Sequence, residues 1–401
     1  MHVAWVSTYR PAWHDGSRRV LGPDEDMVTL AVAAGRSGLD EGDGHADVSR
    51  VTVVMQEPDV LNSAAAGVVR RGLGIKSAVP VDFRVGGGTD ALEAVLSAGV
   101  GTLVIGVENG VAGAAAGAAM IGGNGAVLHQ IGLVDASLPM RVRHLGDPAT
   151  STYDDPRLER ERGWRPSIAG LTSPDTTVFL AGVPSKEVGK FGAEALGADE
   201  ALAAAAPFFI LAAMASAGRD GRLVALDSAL AVAAEVREAR SAEVLSLTRE
   251  PVPVQHRPCE STDGIEIPIS MPAYERAFES KVGLLAARCE CGELSFPPRR
   301  LCLGCGVMDA TVLQALPRTA EVYSVVTIHI RVPGMASPYA LAIVSLDDVP
   351  IRVLAPVADV NPLDCAIGDR GVLVLRRMAT REGVPDYGFA FQPTERKGSA
   401  A

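Results

Sequence analysis

The sequence predicts a layered α/β domain followed by a cysteine-rich module and a small all-β barrel. Strand-like and helix-like segments alternate over residues 1–247, and a Pro-rich, aperiodic stretch follows at 248–272. After a cluster of four cysteines, short β-branched segments separated by Pro, Gly and Asp fill the remainder, which is typical of a small closed sheet. At 401 residues the chain is too long for one ordinary core, so two or three domains are expected.

Hydrophobic spacing predicts the elements of the first domain. Carboxylates at 24–26 suit a helix N-terminus, and apolar residues at helical spacing continue to Leu39. The further elements are a strand at 51–56, a helix at 62–73, a turn and helix at 82–95, a strand at 102–108, Gly-rich strands at 117–132, a strand at 176–182, helices at 185–197 and 207–217, and closing strands at 221–236.

Four cysteines predict a structural zinc site. Cys289 and Cys291 form one knuckle, Cys302 and Cys305 the second, and glycines after each pair let backbone amides turn toward sulfur. Four thiolates close the shell around the metal and leave no open position for catalysis. The first knuckle is C-x-C rather than C-x-x-C, so a degenerate, metal-free cluster is the alternative. A short helix is expected before the cluster, at 273–287.

Charge and hydropathy exclude several classes of function. The net charge of −11 without a basic stripe disfavours a nucleic-acid partner. The start of the chain lacks the basic and apolar regions of a signal peptide, and Ala201–Ala217 is Ala-rich, short and interrupted by Pro207, which favours a buried helix over a membrane span. A cytoplasmic location is therefore expected.

The C-terminal part resembles a known family. The carrying motifs are CGELSFPPRRLCLGCG, AEVYSVVTIHI, PYALAIVSLDD and YGFAFQP, over about Met271 to Pro393. They resemble the zinc-ribbon and OB-fold proteins called DUF35, whose members accompany thiolases and related condensing enzymes and are thought to hold or pass CoA thioesters. The resemblance implies a helix and rubredoxin-like zinc ribbon at 273–312 and an OB-fold at 313–401.

The first part, about His2 to Glu238, looks like a thiolase-superfamily domain of the hydroxymethylglutaryl-CoA synthase type. The carrying motifs are GSRRVLGPDEDMVTLAVAAG, GGGTDALEAV, GGNGAVLHQIG and VFLAGVPSKEVGKFGAEALG. The resemblance implies a thiolase-like layered α/β fold at 1–247, a linker at 248–272, and pairing with a similar domain through a continuous sheet.

That family works with a nucleophilic cysteine, a histidine and a glutamate. The resemblance puts the cysteine position on Val85, the histidine position on Gly182, and the glutamate position on Gln56, with Glu57 one residue further on. A valine side chain has no lone pair to attack a thioester, so an acyl-enzyme cannot form there.

Binding functions remain open at this vacated site. The amides of Gly86, Gly87 and Gly88, at a helix start, are candidates to hold a CoA thioester oxygen, although a tight turn with close packing explains the glycines more simply. The carboxylates at 24–26 are expected to cap the helix rather than to catalyse.

The preferred hypothesis is a non-catalytic subunit that binds or channels CoA thioesters for a catalytic thiolase-like or ketosynthase-like partner, as a homo- or hetero-oligomer. One alternative is a cysteine-independent carbon–carbon lyase or acyltransferase acting on an acyl-CoA, with Glu57, Tyr153 or His144 as acid/base groups. Another is a scaffold without a ligand.

Overall fold

A computed structural model of the chain divides into two compact units. The first contains residues 1–10, 34–61 and 78–248, and the second contains 11–33, 62–77 and 249–401. The residues that the structure describes are 1–41, 48–56, 64–110, 112–134, 141–142, 151–152, 157, 161, 164–172, 175–197, 202–227, 230–248, 251–253, 258–260, 268, 270–333 and 336–395.

The strands, numbered along the chain, are β1 His2–Arg10, β2 Trp13–Asp15, β3 Arg18–Arg19, β4 Arg50–Met55, β5 Val81–Val85, β6 Thr102–Gly110, β7 Gly113–Gly122, β8 Ala126–Val134, β9 Arg141–Val142, β10 Ser151–Thr152, β11 Val178–Ala181, β12 Gly221–Asp227, β13 Leu230–Arg237, β14 Glu243–Thr248, β15 Val252–Pro253, β16 Cys259–Glu260, β17 Leu285–Cys289, β18 Leu294–Ser295, β19 Thr311–Ala315, β20 Thr319–Ile328, β21 Ala336–Ser337, β22 Tyr339–Leu346, β23 Arg352–Pro356, β24 Arg370–Arg381 and β25 Val384–Glu395. The α-helices are Met27–Glu41, Ala65–Leu73, Gly88–Ser97, Trp164–Ala169, Ser185–Val188, Ala206–Ala217 and Met271–Lys281.

The first unit is built on one mixed sheet in the order β11-β12-β13-β8-β1-β7-β6-β4-β5, with β14 parallel to β1. The outer strands are parallel, since β4 pairs in parallel with both β5 and β6, and β11 with β12. Antiparallel pairs fill the middle of the sheet. Strand β5 forms one edge of this sheet, and Val85 lies at its C-terminal end.

Both faces of the sheet are covered, which makes the unit layered. Side chains alternate along β12: Leu223 and Ala225 pack with the Gly88–Ser97 and Ala206–Ala217 helices, whereas Val224 and Leu226 pack on the opposite face. The Ala206–Ala217 helix is thus the buried helix that its sequence predicts. This is the layered α/β architecture that the sequence predicts. Among the described helices, none has the length and apolar content required to cross a membrane.

Two helix predictions were too long, for local reasons. The segment predicted as a helix at 185–197 is helical only at Ser185–Val188, followed by a 3₁₀ turn at Gly189–Phe191, and Gly192 has a φ of +65° that ends the turn. The helix predicted at 273–287 spans Met271–Lys281 instead. Leu284 has a φ of +51°, and the next residues pair with β19 as strand β17.

The second unit contains the all-β part. Its five-stranded sheet has the order β23-β22-β20-β24-β25, and a parallel bridge from Val357 to Phe391 joins the two ends, as closure into a barrel requires. This is the OB-fold sheet. A second sheet, β18-β17-β19, carries the cysteine cluster. The unit also includes residues 11–33 and 62–77. The boundaries at 247, 272 and 312 stay a prediction.

A buried ionic cluster joins the barrel to the segment before the first long helix. Arg376, only 1% exposed, donates from Nη2 to Oδ2 of Asp359 at 2.6 Å, and the same nitrogen lies 3.5 Å from Glu25. Its Nε lies 3.7 Å from Asp24. Asp26 accepts a hydrogen bond from the backbone N–H of Thr29, as a helix cap does, so the predicted capping role holds for Asp26. Asp24 and Glu25 do not cap the helix but lie beside Arg376 in the buried ionic cluster.

The Asp24→Asn variant is expected to gain stability over the wild type as pH rises. Burial raises the pKa of Asp24 from 3.8 to about 6, against the opposing charge of Arg376. Between these two values the folded chain holds more protons than the unfolded chain, so wild-type stability falls as pH rises through this window. Because asparagine does not ionise, the difference between variant and wild type should grow by up to about 3 kcal/mol from pH 4 to pH 7.

Urea unfolding at both pH values measures this difference. The exposed Asp348, changed to asparagine, is the control whose difference from wild type should stay constant. A pH-independent difference for Asp24→Asn would contradict the prediction.

Candidate functional site

The four predicted cysteines converge in the second unit. The sulfur atoms of Cys289, Cys291, Cys302 and Cys305 all lie within 4.8 Å of one another. Two of the separations are 3.7 Å, from Cys289 to Cys305, and 3.5 Å, from Cys291 to Cys302. Sulfurs around a tetrahedral zinc, with Zn–S bonds of about 2.3 Å, lie about 3.8 Å apart. The cluster therefore has the dimensions of a four-thiolate zinc site.

Despite a backbone hydrogen bond from Cys291, burial and the neighbouring thiols raise the pKa of Cys289 to about 12, whereas backbone hydrogen bonds favour the thiolate form of Cys302. The N–H groups of Cys305 and Gly304 point at the sulfur of Cys302 and, despite some burial, lower the pKa of this thiol to about 7. The turns need glycine, because Gly292 and Gly306 have φ values of +92° and +73°. These residues fit a closed, structural metal site, and zinc would hold the two knuckles together there.

Val85, which the resemblance assigns to the nucleophile position, lies in the first unit at the end of the edge strand β5. Val85 is 69% exposed, and its neighbour Phe83 is 40% exposed. Strand β5 pairs with β4 on one side, and no described strand pairs with its other side. An aliphatic side chain is thus presented at the point where the resemblance places a reactive sulfur.

The three glycines after Val85 pack tightly. The N–H of Gly86 donates to the carbonyl of Met55 at 3.0 Å, and the N–H of Gly87 donates to the Asp90 carboxylate at 3.1 Å. A Cβ on Gly87 would lie 1.9 Å from Oδ2 of Asp227, and one on Gly88 3.0 Å from the carbonyl of Ala203. Two of the three amides proposed to hold a thioester oxygen thus already have acceptors, and close packing explains the glycines. The proposed role in binding a CoA thioester stays a prediction.

Two carboxylates near this turn were missed by the sequence reasoning. Asp227, at the end of β12, accepts a hydrogen bond from the side chain of Gln56 at 3.3 Å. Glu108 is 3% exposed and accepts hydrogen bonds from the backbone N–H groups of Ala203 and Ala205. No pattern within either strand pointed to these carboxylates, because β12 runs opposite to β4 and β6 in the sheet and the residues meet only through tertiary packing.

Gly182, which the resemblance assigns to the histidine position, has a φ of +93°, and a Cβ there would lie 2.4 Å from the carbonyl oxygen of Leu226. The backbone conformation at this position therefore requires glycine, because any side chain would be strained and would clash.

Among the residues predicted for the site, the structure brings Gln56 and Gly87 together, with Asp227 between them and in contact with both. Glu57, Tyr153 and His144 lie outside the described residues.

Gly182→Ala is expected to destabilise the chain by about 1–3 kcal/mol, because alanine disfavours this φ and clashes with a backbone atom. Gly189→Ala is the matched control in the same segment. Gly189 has a φ of −61° and open space at its Cβ, so its replacement should change stability by less than about 0.5 kcal/mol. Thermal unfolding of both variants tests the prediction, and equal melting temperatures would contradict it.

Part of the second unit matches a known protein family. Residues 313–375 match the family model described as the C-terminal OB-fold domain of ChsH2. The chain is 31% identical over 142 residues to a DUF35 domain-containing scaffold protein of Pyrococcus furiosus, an alignment that covers 31% of this chain and 94% of that protein.

Two solved structures are each similar to a portion of the chain. An Ltp2-ChsH2(DUF35) aldolase is 25% identical with a TM-score of 0.25, and the match covers 30% of this chain and 90% of the solved chain. A 3-oxoacyl-(acyl-carrier-protein) synthase III is 14% identical with a TM-score of 0.44, and covers 59% of this chain and 99% of its own.

Proposed function

The chain belongs to the DUF35 family through its C-terminal part, and from this premise we propose that it is a non-catalytic subunit of an acyl-CoA or acyl-carrier condensing or acyltransferase complex. Its first unit would pair with a catalytic thiolase-like enzyme. Its OB-fold would bind or guide the thioester for that partner, and the cysteine cluster would be structural.

One observation carries the proposal. Val85 stands where the thiolase-like resemblance puts the nucleophile, and covalent acyl transfer needs a group with a lone pair at that atom. The neighbouring geometry supports the same reading. Gly182 has a backbone conformation that is unfavourable for histidine, and the Asp227 carboxylate packs directly against Gly87. Restoring a single cysteine would therefore leave the site without its histidine.

The open edge of the first sheet supports a partner. Strand β5 ends in exposed apolar residues, Phe83 and Val85, and has a free side in the described part of the chain. An exposed apolar strand edge is a template for pairing with another chain. The curated relative in Pyrococcus furiosus is named a scaffold protein, which agrees with a role in holding other proteins.

The chemical test uses the purified chain alone and with a thiolase-like enzyme that keeps its cysteine and histidine. Incubation with acetyl-CoA, followed by intact mass spectrometry, should show an acetyl group on the partner and none on this chain. A covalent thioester on the lone chain would overturn the proposal. Carbon–carbon cleavage of a β-hydroxyacyl-CoA by the lone chain would instead support the lyase alternative.

The assembly test uses two exposed apolar positions of the first unit. Phe83→Glu places a charge on the free edge of β5 and should weaken binding to the catalytic partner at least tenfold by light scattering or calorimetry. Val100→Glu, at a turn residue that is 71% exposed, is the matched control and should bind as the wild type does. Equal binding by both variants would exclude this edge as the contact.

A further inference from the structure

Strand β19, Thr311–Ala315, forms an exposed edge of the small sheet that carries the cysteine cluster. It pairs antiparallel with β17 over its whole length, and no described strand pairs with its other side. Val312 and Leu313 are 69% and 52% exposed. Because successive side chains point to opposite faces of a strand, both faces of this edge present an apolar side chain to solvent.

The backbone groups of alternate residues in β19 face away from β17. The N–H of Leu316, directly after β19, donates to the carbonyl of Leu284, directly before β17. Backbone groups of successive strand residues point to opposite sides, so every second residue counted back from Leu316 faces β17 and the others do not. The residues whose backbone groups face the free side are Thr311, Leu313 and Ala315. The free edge is therefore centred on Leu313.

This edge lacks the features that usually prevent strand edges from pairing with other chains. A charged side chain, a proline or a bulge on the edge strand serves that purpose. The sequence of β19, TVLQA, has no charge and no proline, and its pairing with β17 has no register shift. In contrast, the edge strand β5 carries Asp82 and Arg84, and the edge strand β23 carries Arg352 and Pro356. Strand β19 is thus open to the addition of a further strand.

The residues along the edge fit a second copy of the same strand. If two copies of β19 pair antiparallel about Leu313, this leucine lies opposite its own counterpart. Thr311 then lies opposite Ala315 of the other copy, and Val312 lies opposite Gln314. Like charges directly opposite each other destabilise a strand pair, and none meet in this register.

The charges beside the edge also permit this pairing. Asp309, the charged residue closest to β19 along the chain, is neutralised by Arg300 through two contacts of 2.7 Å. Arg288 is the charged residue of the neighbouring strand β17, and it donates to the side chain of Gln314. Arg288 lies one strand inward, so two copies of β19 can meet without bringing the two arginines together.

We propose that β19 is a homodimerisation edge, at which two copies of the chain pair antiparallel about Leu313 and join their β18-β17-β19 sheets. Each residue of the free row exchanges its backbone hydrogen bonds with the residue opposite, and the two Leu313 side chains pack together. A short strand edge is a small contact, so the association depends on concentration. The proposal uses neither the first unit nor a catalytic partner, and it is therefore independent of the proposed function.

The first test is sedimentation of the full chain between about 1 and 200 µM, a range that covers weak association. All proteins in this test carry Phe83→Glu, so that the free edge of β5 does not contribute. The chain should change from monomer to dimer as its concentration rises. A chain that stays monomeric throughout would overturn the proposal and would leave the edge to solvent or to a different protein.

A pair of charge variants tests the centre of the contact. Leu313→Lys places two like charges opposite each other and should weaken dimerisation at least about tenfold. Val312→Lys is the matched control, because it adds the same charge at the adjacent, more exposed residue, which faces the neutral Gln314. The control should change the affinity by less than about threefold. Equal weakening by both variants would exclude a pairing centred on Leu313.

A mixing experiment tests the symmetry of the contact. Leu313→Glu alone should weaken dimerisation as Leu313→Lys does, but an equimolar mixture of the two variants should dimerise again, because opposite charges then face each other. Only a contact in which position 313 meets itself predicts this recovery, and a mixture that stays monomeric would overturn the proposal. Circular dichroism of the dilute proteins verifies that each variant is folded, as expected for substitutions at a half-exposed position.

Discussion

Cys302→Ser is expected to release one zinc ion per chain and to unfold the β18-β17-β19 sheet. Serine is a far weaker zinc ligand than a thiolate, and a site with three sulfurs and no fourth ligand loses its closed shell. Structural zinc contributes apparent binding free energies of about 10–16 kcal/mol in small zinc modules, which is folding free energy for the segment that it holds. This is the largest effect that we expect from a single change.

The reason for so large an effect is the lack of a core around the knuckles. Four apolar residues around the second pair of cysteines, Leu301, Leu303, Val307 and Met308, are 45%, 63%, 48% and 61% exposed. Apolar burial therefore contributes little to the fold of this segment, and the metal must supply most of what holds it.

Metal analysis and hydrogen exchange over residues 285–315 measure the outcome. Wild type should carry one zinc, and the variant none, with exchange faster by on the order of a hundredfold in that segment. Cys365→Ser is the control, because Cys365 is buried outside the cluster and should leave the zinc in place. Wild-type protein without zinc, but with full protection of this sheet, would support the degenerate, metal-free alternative.

Arg376→Met should destabilise the second unit by about 3–5 kcal/mol. The arginine is 1% exposed and neutralises three acidic neighbours, Asp24, Glu25 and Asp359, whose side chains are 25%, 0% and 3% exposed. Methionine keeps much of the volume but removes the cation that contacts Glu25 and Asp359 in a poorly hydrated place. Removing one partner of a buried ion pair costs far more than the pair itself contributes.

Arg370→Met is the matched control on the same strand, β24. Arg370 also lies between two carboxylates, 2.7 Å from Asp347 and 3.6 Å from Glu321, but it is 47% exposed. Exposed pairs contribute about 0–1 kcal/mol, so its loss should be small. Urea unfolding of the two variants compares them directly. Similar losses of unfolding free energy in the two variants would show that burial does not determine how much Arg376 contributes to stability.

Local patterns in the sequence were enough for most of the elements and for the choice of the four clustered cysteines. The strands at β4, β6 and β11 and the Ala206–Ala217 helix follow from apolar runs and spacing, and the two cysteine pairs that the sequence singles out converge in the structure. Helix lengths were predicted wrongly where a local backbone conformation ends the helix. Hydrophobic spacing predicted a helix to residue 197, but the α-helix ends at Val188 and the 3₁₀ turn that follows ends at Gly192.

The sequence alone determined that sulfur is missing at Val85, because the identity of a side chain does not depend on the fold. Only the tertiary structure decided what surrounds that position and what the acidic run at 24–26 does. Asp227 reaches Gln56 from 171 residues away, and Tyr387 donates to Asp26 across 361 residues. Contacts between such distant positions follow from how strands and segments pack together, and no periodicity within either segment carries that information.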